Sequence, residues 1–471
     1  MSFTNKINIY FDTMGCAKNL VDSEYALGGL RAAGFGLTED PFAAQVVVVN
    51  TCGFINDAKQ ESIERLLELA ALKQEGECLL LAATGCLVQR YRQELPAELP
   101  EVDLWLGTDE YDQLPERLWQ ALAEHSGQKL AKLQKQAGAK PSGECAELPE
   151  RVLLTPPYTA YLKIAEGCSN RCSFCAIPNI RGPLRSQPLE QLLAEAARLK
   201  AAGVQELCLI AQDTTAYGRD LPEHKPLLPQ LLRELDKLGF GMLRLLYVYP
   251  EGIDEELLAA MRDCRTVCHY LDLPLQHVSA AVLRRMNRRL DRESIEQLLT
   301  KIREYLPDAA LRTTFMVGFP GETEADFEEL LDFATAAQLD WAGVFQYSPE
   351  EDTPAATMPE QVPDEIKARR YNQLTAVLAD AGAARREAQV GESLNVLLEQ
   401  PSLDVPGYFE ARSQFQAPEV DGLIYVQNVD GRLTERQIGS WLKVEAAAAE
   451  GYDLLATPCE GAQPQKHNKQ A

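Results

Sequence analysis

Along the first ~125 residues, apolar runs of two different periods alternate. Lys6–Phe11 (KINIYF) reads as a strand, and Asn19–Ala33 carries apolar residues at helical spacing before stopping at Gly34. Val46–Asn50 is a short β-branched run that fits a buried strand. Asn56–Leu72 is helical with Asn56 at its N-cap, and Leu79–Ala83 is a third buried strand. Alternating strands and helices of this kind predict a parallel sheet. From Ser126 to Arg151 the apolar period disappears and Lys, Gln, Ala, Gly and Pro dominate, which reads as a linker.

The alternation resumes at longer period from Tyr158 to about Ala388. Candidate strands are Tyr158–Ala165, Glu206–Ala211, Arg244–Tyr249, Tyr270–Gln276, Leu311–Val317 and Trp341–Tyr347, with helical segments such as Leu189–Ala202 and Asp326–Ala337 between them. Six βα units predict a partial, open relative of the eight-fold βα barrel. Short alternating strands follow at Ser393–Glu399, Gly407–Arg412, Gly422–Gln427 and Trp441–Val444, the pattern of a small β domain. The expected fold class is therefore α/β. Its parts are an N-terminal parallel α/β domain (1–125), a linker (126–151), a central partial (βα)6 barrel (152–388), a C-terminal small β-barrel (389–457) and a disordered tail (458–471).

Composition adds little to this until charge is considered. Hydrophobic residues make up 46% and charged residues 25% of 471, ordinary values for a folded protein. The formal net charge is −24, from 70 acidic against 46 basic residues. Such an excess disfavours a nucleic-acid partner and favours a small molecule or a basic protein, since opposite fields speed encounter. The start of the chain lacks the apolar centre of a signal peptide, and no apolar run is long enough to span a bilayer, so the expected compartment is the cytoplasm.

The twelve cysteines give the strongest chemical signal. In a reducing compartment they read as metal ligands or reactive thiols rather than disulfides. Cys168, Cys172 and Cys175 form a CxxxCxxC triplet (EGCSNRCSFCAIP) directly after the first strand of the middle domain. Thiolates suit zinc and iron–sulfur clusters. Four would close a [4Fe–4S] cube, whereas three leave one iron open to chelate a small molecule such as S-adenosylmethionine. The rival reading is a structural zinc site. It needs a fourth ligand, and the next cysteine and histidine after Cys175 are as far away as Cys208 and His224.

Cys16, Cys52 and Cys86 are distant in sequence but share one context, each lying just beyond a predicted strand (TMGC, NTC and TGC). In a parallel sheet those ends lie on one edge, where ligands bind, so three thiols could converge on a second metal centre. Any one of them alone would more commonly be an inert core cysteine. Cys78 and Cys208 fit core positions, Cys264 and Cys268 fit one helix face, and Cys145 and Cys459 fall in loose segments.

These motifs resemble the methylthiotransferase family of radical S-adenosylmethionine enzymes over nearly the whole chain. The carriers are MGCAKNLVDSE (Met14–Glu24), VNTCGFI (Val49–Ile55), TGC (Thr84–Cys86), YLKIAEGCSNRCSFCAIPNIRGPLRS (Tyr161–Ser186) and GFPGET (Gly318–Thr323). The C-terminal β domain is similar to the TRAM domain that closes such proteins. LKIAEGC, CAIPNIRG and LIAQDTTAYG (Leu209–Gly218) resemble the branch that modifies small-subunit ribosomal protein twelve rather than the transfer-RNA branch. Ala17 stands where that branch often has proline, next to a ligand but supplying no ligand atom.

The resemblance implies two [4Fe–4S] clusters, one on Cys168, Cys172 and Cys175 that generates a radical, and an auxiliary one on Cys16, Cys52 and Cys86 that carries sulfur. It implies that one S-adenosylmethionine methylates the sulfur. Another yields the 5′-deoxyadenosyl radical, which takes a hydrogen from the β-carbon of an aspartate before methylthio transfer. An electron donor and a sulfur source are implied as partners.

The charge of the C-terminal segment bears on the substrate independently. Val390–Pro458 holds eleven acidic and four basic residues, a net of −7. A module serving RNA should be basic, whereas an acidic one suits a basic ribosomal protein or merely solvates a β surface.

Gln212 and Asp213, after the second barrel strand, are candidates for contacting S-adenosylmethionine or for capping. Gly318, with Gly321 in GFPGET, is a candidate for a cofactor-lining loop or a tight turn. Arg181 and Arg185 fit either a carboxylate of cofactor or substrate or an ordinary salt bridge. Catalytic side chains beyond the ligands are unassigned. The rival readings are the same chemistry on an adenosine of transfer RNA, and a non-enzymatic iron–sulfur carrier.

Overall fold

The computed structural model describes residues 6–126, 150–222 and 224–465. They divide into two compact units. The first takes in the described residues up to Leu154 together with Gly167–Ser169 and Ala176–Pro183, and the second takes in the remainder. The expected linker, apart from its ends, lies outside the described residues, as do Cys145 and residues 466–471.

The first unit is built on a parallel sheet of β1 (Asn8–Thr13), β2 (Gly36–Leu37), β3 (Val46–Thr51), β4 (Leu80–Gly85) and β5 (Leu104–Leu106), in the order β2-β1-β3-β4-β5. Side chains alternate across a strand, so β3 and β4 feed two separate cores. Val46, Val48, Leu80 and Ala82 pack with Leu30 of the helix Ala17–Ala32 and with Leu118 and Trp119 of the helix Leu114–Ser126. Val47, Val49, Leu81 and Ala83 pack with Leu66 and Leu69 of the helix Asn56–Ala70. Burial on both faces explains why these strands read as unbroken apolar runs. The Asn56 helix ends two residues earlier than its sequence pattern, and Ile55, not Asn56, occupies its N-cap. Arg151 is no loose linker end: its guanidinium bonds the buried Glu24, which also accepts from the Leu154 N–H at 2.8 Å.

The second unit opens with β6 (Thr159–Lys163) and the short antiparallel pair β7 (Ala165–Glu166) and β8 (Arg185–Ser186). Then follow β9 (Glu206–Ile210), β10 (Met242–Leu245), β11 (Tyr270–Gln276), β12 (Ala310–Val317) and β13 (Trp341–Gln346). Two parallel three-stranded sheets, β10-β9-β6 and β11-β12-β13, are stitched together where Leu243 N–H donates to Thr266 at 2.7 Å and Cys268 N–H donates to Leu243 at 2.8 Å. Six strands thus run in chain order, with β6 and β13 not paired to each other among the described residues. β10 stops at Leu245, short of the expected Tyr249, because Tyr247 takes φ +57 and gives its N–H to the Asp272 carboxylate at 3.0 Å. Cys264 caps the helix Glu255–Asp263 in extended backbone and Cys268 lies just before β11, so the two do not share a helix face.

The helix Asp364–Glu387 leads into a closed barrel of β14 (Ser393–Pro401), β15 (Tyr408–Arg412), β16 (Ile424–Gln427), β17 (Trp441–Glu450) and β18 (Asp453–Pro458). Inward-facing Val396, Leu398, Phe409, Val426, Leu442, Val444 and Leu454 fill it. Sequence reading ended β17 at Val444 and missed β18, because the alanine run Ala446–Ala449 has weak strand preference and is recruited only by pairing with β18. The chain after Pro458, expected to be disordered, turns back as far as Gln465, which exchanges two backbone hydrogen bonds with Trp441.

A buried charge cluster ties this barrel to the β10-β9-β6 sheet. Glu206 on β9 meets Arg244 on β10 at 2.8 Å and Arg412 on β15 at 2.6 Å, and Arg412 also holds Glu399 at 2.6 Å. Burial alone would raise the Glu206 carboxyl, but the two guanidiniums hold it down to about 2.

Candidate active site

In the first unit, Cys16, Cys52 and Cys86 follow the C-terminal ends of the adjacent strands β1, β3 and β4. Two glycines bring their loops together. Gly15 lies at φ +89, and a Cβ there would sit 3.1 Å from the Cys52 sulfur. A Cβ on Gly53 would sit 2.6 Å from Leu87 Cα and 2.9 Å from the Cys86 carbonyl carbon. Only residues without a side chain allow this approach. Ser62 fixes the Cys52 backbone from both sides, accepting from its N–H at 3.0 Å and donating to its carbonyl at 2.9 Å.

Asn19 joins the loops. Its amide donates to the Met14 and Thr51 carbonyls, each at 3.0 Å, while Asn50 donates to the Asn19 carbonyl at 2.9 Å. The helix Ile177–Arg181 adds a buried guanidinium. Arg181 pairs with Asp22 at 2.7 Å, donates to the Asn19 side chain, and aims Nε and Nη2 at the Cys86 sulfur, each at 3.3 Å. Of the two readings of Arg181, the salt bridge is the one seen, to Asp22, and the same guanidinium lies beside the Cys86 sulfur.

The three thiols sit in unequal fields. Desolvation pushes the Cys16 thiol up, but it is the exposed one of the three. Lys18, the Asn19 and Lys18 amides and Arg181 bring it below its ordinary value. Burial raises Cys52, and Cys16 raises it further. Burial raises Cys86 to about 11 although Arg181 opposes it. Among the described residues no three or more His, Cys, Asp or Glu side chains close up as for a single metal ion. A cubane spreads its ligand sulfurs over separate iron corners, so it does not require that geometry.

The CxxxCxxC stretch spans both units. Cys168 belongs to the first, with its N–H on the Gly182 carbonyl at 3.0 Å. Cys172 and Cys175 belong to the second, in a tight turn where the Cys175 N–H meets the Cys172 carbonyl at 3.1 Å. That turn is held from outside. Ser173 donates its N–H to Met286 at 3.1 Å and its hydroxyl to Arg285 at 2.7 Å, and accepts from the Ala355 N–H at 2.9 Å.

Gln212 and Asp213 also grip this region. Gln212 donates to Glu166 at 2.7 Å, and Asp213 accepts from Asn170 at 2.7 Å while capping Thr215. Both side chains are therefore engaged with the loop's flanks, although Gln212 Oε1 is buried without a hydrogen-bond partner among the described residues. Gly318 lies at φ +74, where a Cβ would meet Lys367, and its N–H and that of Phe319 both go to the Glu322 carboxylate. Arg185 is exposed on β8.

Sequence reasoning missed Asn19, Asp22, Glu322 and Arg288. The Cys16–Asn19–Asp22 spacing, three residues apart on one helix face, was the available signal for the first two. Arg288 lies with its guanidinium carbon 4.3 Å from the centre of the Tyr249 ring and forms no ion pair among the described residues. A signal for it could not be read, because it depends on two loops meeting.

Comparison with known proteins agrees with this layout. Residues 162–334 match the radical SAM superfamily, 8–107 match the uncharacterized protein family UPF0004, and 390–459 match the TRAM domain. The chain is 45% identical to a Geobacter sulfurreducens protein named ribosomal protein uS12 methylthiotransferase RimO, covering 94% of this chain and 96% of that one. It is 46% identical to a namesake from Anaeromyxobacter sp., covering 95% and 92%. A third, from Lachnoclostridium phytofermentans, is 43% identical and is covered completely by 96% of this chain. Among solved structures, the radical S-adenosylmethionine methyltransferase TsrM from Kitasatospora setae aligns with a TM-score of 0.52 at 14% identity over 74% of each chain, a likeness of fold.

Proposed function

The chain belongs to the RimO family of radical SAM methylthiotransferases, and on that premise we propose that it inserts a methylthio group at the β-carbon of an aspartate of ribosomal protein uS12. Its cofactors are two [4Fe–4S] clusters and S-adenosylmethionine. In this reading Cys168, Cys172 and Cys175 hold the cluster that engages S-adenosylmethionine, and Cys16, Cys52 and Cys86 hold the auxiliary, sulfur-carrying one.

The observation that carries the proposal is the meeting of three cysteine loops in the first unit, with a guanidinium aimed at one sulfur. Generating the radical needs only the CxxxCxxC triplet, so a second set of thiols calls for a further task. The donor set fits the second group: soft thiolates at three strand ends, in a site where Arg181 offers N–H bonds to an anionic sulfur.

When bound, the clusters and S-adenosylmethionine supply a 5′-deoxyadenosyl radical and a transferable methylated sulfur, the chemistry an unactivated C–H bond requires. The protein contributes placement. Asn19 and Ser62 fix the loops of the first set, and Ser173, Asp213 and Gln212 fix the turn of the second. Glu322 accepts from the Gly318 and Phe319 N–H groups and so fixes the GFPGET turn after β12, the place from which it would line the cofactor. Gln212 Oε1 is the remaining acceptor there for an ammonium or hydroxyl of S-adenosylmethionine. Asp213 is committed to the loop, and the exposed Arg185 remains a candidate for a carboxylate of S-adenosylmethionine or of the substrate.

The β-barrel segment presents Glu392, Asp404, Glu419, Glu435, Glu445 and Glu450 outward, whereas Arg412, one of its four basic residues, is consumed by Glu206. That surface suits a basic protein substrate and not transfer RNA.

The test is anaerobic reconstitution followed by incubation with reductant, S-adenosylmethionine and either uS12 or transfer RNA. A methylthio group on uS12 alone is expected, and modification of transfer RNA alone would overturn the substrate. Iron and sulfide should fall by about half when Cys16, Cys52 and Cys86 are all changed to alanine, one of two clusters being lost.

A further inference from the structure

Arg181 is buried in the first unit, where an unpaired guanidinium would cost several kcal/mol. Asp22 balances one charge through Nη1, and the Asn19 side chain accepts from Nη2. Nε and Nη2 converge on the Cys86 sulfur, whose S–H in turn donates to Asn19 Oδ1 at 3.6 Å. A neutral thiol is a weak acceptor and returns little for two guanidinium N–H groups. An anionic, metal-bound sulfur makes both bonds charge-assisted.

Resting on the reading that Cys16, Cys52 and Cys86 hold the auxiliary cluster, we propose that Arg181 is a positioning residue that raises that cluster's reduction potential through its two N–H bonds to the Cys86 sulfur. Hydrogen bonds to a ligand sulfur withdraw electron density and favour the reduced cluster. The reaction gives this a purpose. When a substrate carbon radical joins a methylthiolate, one C–S bond forms and one electron is left over. A cluster held by Cys16, Cys52 and Cys86 and carrying that sulfur would supply the acceptor for that electron. A guanidinium on the ligand sulfur makes that acceptance more favourable, and Asp22 and Asn19 keep it aimed. Arg181 stands six residues after Cys175, so the stretch that supplies a ligand to the radical-generating cluster also supplies the tuning group of the other.

The experiment is a redox titration of the reconstituted protein followed by electron paramagnetic resonance. It is run in a Cys168→Ala/Cys172→Ala/Cys175→Ala background so that the auxiliary cluster alone is seen, and both cluster signals are also followed in the full holoprotein. Arg181→Gln should lower the auxiliary potential by at least ~59 mV, a tenfold change in a one-electron equilibrium. Arg181→Lys, which keeps charge but not the two-pronged donor, should fall between, and the radical cluster's potential should stay put. An unchanged potential with full iron content in both variants overturns the proposal. Loss of the cluster from both variants also overturns it, leaving Arg181 a purely structural role. Failure of the underlying reading looks different: Cys86→Ala would then leave the iron content and the auxiliary signal of the parent protein untouched.

Discussion

Asp22 shows how far a single side chain can carry function without touching a substrate. Its carboxylate pairs with the buried Arg181 at 2.7 Å. Asp22→Ala should destabilise the first unit by ~3–5 kcal/mol, the usual cost of leaving a buried charge unpaired. Denaturant unfolding of the apoprotein would read this, and an unchanged midpoint would contradict it. Glu206 plays the equivalent part in the second unit. Its carboxyl is held down to about 2, so its contribution is full above the unfolded carboxyl value and is lost as pH falls from about 5 toward 2. That amounts to ~3 kcal/mol. Glu206→Gln should lower the melting temperature at pH 7 and flatten its decline over that acid window. The six cysteines were legible as candidate ligands because the sequence pairs each with a strand end or a fixed spacing. Asn19, Asp22 and Arg181 were not legible as a group, because Arg181 reaches the other two across more than 150 residues of chain.

At the scale of elements, the turns after β1, β3 and β4 are shaped by the approach of one backbone to another. Gly53→Ala would put a Cβ 2.6 Å from Leu87 Cα, and backbone cannot give way as a flexible side chain can. The loops must part, so this variant should fold yet bind about half the iron of the parent protein, one cluster of two. Iron analysis beside circular dichroism would check it, and full iron content would count against the loop-contact account. The buried strands were readable from unbroken apolar runs, and the helices from their period. Strand ends were less readable. β10 stops where Tyr247 adopts a positive φ to satisfy Asp272, and β17 extends through alanines that only their pairing with β18 holds in place. Both are decided by neighbours distant in sequence.

At the scale of the molecule, the C-terminal barrel is no detachable appendage. Arg412 of β15 lies beside Glu206 and Arg244 of the β10-β9-β6 sheet, and Trp341 of β13 stacks with Tyr452 between the other three-stranded sheet and the barrel, ring centres 6.3 Å apart. Ending the chain after helix Asp364–Glu387 would strip Glu206 of one of its two guanidiniums, and the truncated protein should melt well below the full chain. An equal melting temperature would contradict this. The three-part layout was visible from the change in apolar period alone, but this junction was not, since a lone Glu inside the ELCLI run gives no hint of its partner 206 residues away.

In the proposed reaction two cysteine sets divide the labour, one generating the radical and the other carrying the sulfur. Tandem mass spectrometry of uS12 after anaerobic turnover, by the parent protein and by its Cys16→Ala/Cys52→Ala/Cys86→Ala variant, tests that division most directly. The parent should leave a methylthio group on the β-carbon of one aspartate. The variant should still form 5′-deoxyadenosine but leave uS12 without that group. Methylthiolated uS12 from the variant, or none from the fully loaded parent, would contradict the account.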